Sequence, residues 1–125
     1  MAGKIVADQL EHSTAGSLDT QFVVNGSAKA WVNFTTSSST SNLDSLNVSS
    51  LDDNGTGDTT ITYTNAMNTD NYASVGMCGE EGTSASNRIL SIGTKNSSSI
   101  RLHGATTSAV DDMPENNTVI HGDLA

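Results

Sequence analysis

Apolar residues recur at every second position in short runs, separated by stretches of Ser, Thr, Asn, Asp and Gly. Residues 28–34 read as a strand entered from the Asn25-Gly26 turn, with Ala28, Ala30, Val32 and Phe34 around Trp31. Leu46-Asn47-Val48-Ser49 alternates as a half-buried strand does, and in Thr59–Thr64 the residues Thr59, Ile61 and Tyr63 share one face. The turn-rich run Asp52–Asp58 joins these two into the strongest hairpin signal of the chain. Further strands are expected over 72–78, 88–93, 98–103 and 118–121. Loops are expected over 35–42, 79–87 and 104–116, and a helical turn or loop over 65–71. Many short strands with polar turns predict an all-β fold, an antiparallel β-sandwich or jelly-roll-like domain, over residues 25–125.

Large apolar side chains are scarce: the chain is 4% aromatic, with one Trp and two Phe. Trp31 is therefore expected to anchor the core, with Phe34, Ile61 and Tyr63 around it, since an indole buries about 200 Å². Hydrophobic residues reach 34%, below the roughly 45–50% of ordinary globular domains. That shortfall suits a chain that completes its core against copies of itself, and a homotrimer is expected. Residues 1–24 differ from the rest and carry Ile5, Val6, Leu10 and Phe22. They read as an extended N-terminal arm for attachment or inter-subunit docking, with a reach of up to ~80 Å. The alternative is an ordinary first strand of the same domain. A short helix over 5–12 has too small an apolar set to hold alone.

Charge narrows the partners. The formal net charge is −9, with five Lys and Arg in all. No cation cluster exists to neutralise phosphates, so neither nucleic acid nor an anionic membrane surface is an expected partner. No apolar run approaches the ~20 residues of a bilayer span, so membrane insertion is not expected, and residues 1–8 lack the apolar core of a secretory signal. Cys78 is the single cysteine and reads as a small hydrophobe.

Catalytic patterns are weak throughout. An EF-hand reading of Asp52–Tyr63 puts Tyr63 where the bidentate Glu belongs, so a plain turn is expected there. His12, His103 and His121 stand far apart, outside any metal-ligand spacing. There is no Gly-x-Ser-x-Gly elbow and no phosphate loop. No catalytic, cofactor-binding or metal-binding residue is assigned, no cofactor is expected, and the chain reads as a non-enzyme.

Val24-Asn25-Gly26-Ser27-Ala28-Lys29-Ala30-Trp31-Val32-Asn33-Phe34, then Leu46-Asn47-Val48-Ser49-Ser50-Leu51, Asp53–Asp58, Asn65-Ala66-Met67 and Asn71-Tyr72 form an ordered set. In order and spacing these pieces, about half the chain, resemble a group of phage virion proteins described as tail-fibre or tail-fibre-like. The resemblance implies a non-enzymatic, trimeric β-protein on the exterior of a virion: a short tail fibre or receptor-binding component. It implies other virion proteins of tail or capsid as partners, and a host surface glycan as a further one. The alternative is a capsid decoration (cement) or head-fibre protein, and a remote one is a glycan-cleaving enzyme. The group continues past its Trp-Val-Asn-Phe with a Gly/Thr-rich turn, whereas this chain has Thr35–Ser41. From Gly79 onward the chain carries none of the resemblance. The loops over 79–87 and 104–116 are expected to meet the outside, where connecting segments place function.

Overall fold

The computed structural model describes residues 3–79 and 87–125. Strands β1 (Gln9–His12) and β2 (Gly16–Asp19) form a hairpin, followed by helix α1 (Thr20–Gly26). Eight more strands follow: β3 (Ala30–Thr35), β4 (Ser41–Leu46), β5 (Val48–Gly55), β6 (Asp58–Tyr63), β7 (Ala73–Gly79), β8 (Arg88–Asn96), β9 (Ser99–Thr106) and β10 (Glu115–His121). They make two four-stranded antiparallel sheets, in the orders β4-β3-β10-β7 and β5-β6-β9-β8. The chain is all-β, and its sheets are antiparallel throughout.

The sheets share one core. Ala30, Val32, Phe34 and Ile120 come from the first sheet, Ile61, Tyr63, Ile100 and Leu102 from the second, and all are buried in a single cluster. Alternation along each strand produces this: in β3 and β6 buried positions alternate with half-buried ones over the whole strand. Met67 and Tyr72 join the cluster from the connection between β6 and β7. The Tyr72 ring meets Tyr63 edge to face at 5.9 Å, and its hydroxyl donates to the Ser99 carbonyl at 3.0 Å.

Asn47 divides the chain between the two sheets. Its φ is 58°, a left-handed conformation that Asn tolerates better than most residues, and there the path leaves β4 of one sheet for β5 of the other. Its Nδ2 donates to the carbonyls of Lys29 and Asn65, both at 3.0 Å, and its Oδ1 accepts from the Asn65 amide at 2.7 Å. The expected strand Leu46–Ser49 is thus broken in its middle. The hairpin itself stands, pairing Leu51 with Ile61 and Val48 with Tyr63, but the expected turn Asp52–Asp58 is mostly ladder: β5 runs to Gly55 and β6 starts at Asp58.

Three expectations are corrected. Part of the expected loop over 35–42 is strand: β4 begins at Ser41 and its residues are nearly all exposed, so no burial pattern announced it. The loop over 104–116 is held inward in part. Met113 is fully buried, the Met113 amide donates to the Thr36 hydroxyl at 2.7 Å, and the buried Asn116 side chain donates to the Met113 carbonyl at 3.1 Å. Of the loop over 79–87, residues 80–86 lie outside the described residues. Third, residues 9–26 fold into a hairpin and a short helix instead of running extended, and among the described residues β1 and β2 pair only with each other.

Candidate functional site

Each sheet has an outward face, and the two differ in kind. On β6 the inward Thr59, Ile61 and Tyr63 leave Asp58, Thr60 and Thr62 outside. Register extends these into polar rows across the sheet: Asp52, Thr60, Arg101 and Thr94 in one, Asp58, His103 and Ser91 in another, Ser50, Thr62, Ser99 and Asn96 in a third. Arg101 grips Asp58 with two hydrogen bonds, one from Nε at 2.7 Å, and this contact holds the Asp58 carboxyl below the usual carboxylate range. His103 stands 3.9 Å from the same carboxylate. Ile89, across from Ala105 on β8, is the exposed apolar exception on this otherwise polar face.

The outward face of the other sheet is apolar along its centre. Leu46 pairs with Trp31, Trp31 with Val119 and Val119 with Val75, so one row crosses all four strands. Met77 flanks the row beside Asn117 and Asn33. Val75 is 66% exposed and Met77 74%, and Leu46 is also exposed. A shallow groove of about 450 Å³ runs along this face, lined by Val75, Met77, Gly79, Glu115, Asn117 and Val119. At one end of the sandwich a second, polar groove of about 280 Å³ is lined by Asn25, Asn68, Thr69, Asn71, His121 and Asp123.

The residues singled out from sequence divide accordingly. Phe34, Ile61 and Tyr63 lie in the core cluster. Trp31 does not: it is half-buried on the opposite side of β3 from Ala30, Val32 and Phe34, and so belongs to the apolar outer row. Strand parity decides this, and the size of the indole does not. Ile5, Val6, Leu10 and Phe22 are all exposed and do not join the core. Cys78 is half-buried, and burial pushes its thiol pKa up. Among the described residues no group of three His, Cys, Asp or Glu is placed to hold a metal ion. Also among them, no helix is long and apolar enough to cross a membrane.

Leu46, Val75, Met77 and Val119 were not singled out. Apart from Val75 and Met77, two apart on β7, and the local β3–β4 hairpin, their adjacency is made by strand pairing between residues forty or more positions apart. Comparison of the chain with protein-family models, curated proteins and solved structures returns no match.

Proposed function

We propose that this protein is a non-enzymatic structural component of a phage virion, a short tail fibre or receptor-binding component on the particle exterior. The observation that carries the assembly role is the apolar row Leu46–Trp31–Val119–Val75, which lies open on one sheet face while the other sheet's outer face is polar. A contiguous exposed apolar patch of this kind marks a protein contact. The phage assignment is supported by the resemblance, whose residues occupy scaffold positions. Asn47 and Asn65 bond to each other, Met67 and Tyr72 plug the core, and the Asp53–Asp58 segment closes the β5–β6 hairpin. Residues shared for such reasons transmit a fold.

The polar groove at Asn25, Asn68, Asn71, His121 and Asp123 supports the receptor-binding part of the reading, because amide, imidazole and carboxylate groups match the hydroxyls of a host surface glycan. Particle reconstruction or antibody labelling tests the proposal: density or label on the tail is expected. Label confined to the capsid shell makes it a decoration or head-fibre protein. Turnover of host polysaccharide by the purified chain makes it an enzyme.

A further inference from the structure

Two unpartnered apolar features lie in this one chain. The first is the outer row on the β4-β3-β10-β7 sheet. The second is the N-terminal unit, where Ile5 is 92% exposed, Leu10 sits directly across from Leu18 with both half-exposed, and Phe22 and Val24 stand about 60% exposed on α1. Neither half of that unit sustains itself. An isolated two-stranded hairpin is marginal in water, and a seven-residue helix is too short to persist without a surface to lie on. The chain's own sandwich supplies no strand to this hairpin.

One contact that gives and one that receives is the arrangement of a head-to-tail ring.

Resting on the reading of the chain as an assembly subunit, we infer that the N-terminal unit of each copy covers the apolar outer row of the next. Leu10, Leu18 and Phe22 are the donated groups; Trp31, Val75, Met77 and Val119 receive them. The contact is heterologous, and closure after three copies gives the homotrimer.

Two full-length variants test it. Leu10→Asp/Phe22→Asp spoils the arm, and Val75→Asp/Met77→Asp spoils the face; all four side chains are half-exposed or more, so circular dichroism should be unchanged. Light scattering should give about three chain masses for the wild type and one for each variant. Mixed in equal amounts, well above the concentration at which the wild type assembles, the two variants should form a dimer of one of each and nothing larger. The face variant still offers an intact arm, and the arm variant an intact face. A monomeric wild type overturns the proposal, as does either variant retaining the wild-type mass. A mixture that stays monomeric overturns it too, since an intact arm and an intact face then do not meet between copies. None of these results bears on where the protein sits on a particle, so failure here and failure of the virion reading are told apart.

Discussion

The outward faces of the two sheets are made by the same device, period-two alternation on four antiparallel strands, and carry opposite chemistry. Across β5-β6-β9-β8 the outward rows read Asp, Thr, Arg, His and Ser, and Asp58 is already paired with Arg101. Across β4-β3-β10-β7 the central row reads Leu, Trp, Val, Val. Water satisfies the first and is excluded from nothing by it. Covering the second removes apolar surface from water at about 25 cal/mol per Å², a gain the polar rows do not offer. Burial in the core and exposure on the outer face are therefore separate properties of neighbouring residues on one strand.

Phe34 and Trp31 put that separation to its hardest test. Phe34→Ala removes a fully buried ring from the core and should cost about 3–5 kcal/mol in denaturant unfolding. Trp31→Ala should cost the folded chain much less and instead lower the assembled mass in light scattering. Equal loss of stability in the two variants would make Trp31 a core residue and erase the distinction between the faces.

Gly57 limits the polar sheet at its turn. Its φ is +66°, and a Cβ there would stand 2.4 Å from the Gly104 carbonyl oxygen and 2.8 Å from the Asp111 amide nitrogen. Backbone atoms cannot swing away as a side-chain tip does. Gly57→Ala should destabilise by about 1–3 kcal/mol or more, read from the urea midpoint, without altering the apolar face. Gly55, also at positive φ but with open space around it, should respond more weakly to the same change.

How much of this was legible depends on the range of the contact that decides it. The β5–β6 hairpin was readable because its ladder is local and Thr59, Ile61 and Tyr63 announce their face. Strand β4 was not, because an edge strand exposed along nearly its whole length shows no alternation of burial. Trp31 was misplaced because its size was weighed above its parity; Ala30, Val32 and Phe34 share the other face. Met113 and Asn116 looked like loop residues because the groups that bury them, Thr36 and Phe34, lie about eighty positions away. The apolar row was invisible for the same reason, being assembled from four strands.

Tyr63 separates burial from hydrogen bonding inside the core. Among the described residues its hydroxyl is buried without a hydrogen-bond partner, and burial raises its pKa, so it stays protonated throughout the stable range. An unpaired buried hydroxyl costs free energy, so Tyr63→Phe should leave stability unchanged or raise it by up to about 1 kcal/mol. A clear loss in the thermal midpoint would show that the hydroxyl has a partner after all.

The smallest expected effect belongs to the polar face and carries a sign. Asp58 has its pKa lowered chiefly by the hydrogen bond from Arg101, so the folded chain holds this carboxylate charged to lower pH than the unfolded chain does. The contribution is therefore fully present above the unfolded value of about 4 and is lost as pH falls through the folded value. Arg101 is largely open to solvent and salt screens the pair, so the loss should be modest and confined to the acid limb. Asp58→Asn should flatten that limb of the stability profile and leave the assembled mass at neutral pH unchanged, whereas Val75→Asp should change the mass and leave the acid limb as it was. If Asp58→Asn dissociates the assembly at neutral pH, the polar face also meets a partner, and the two faces differ in chemistry without differing in role.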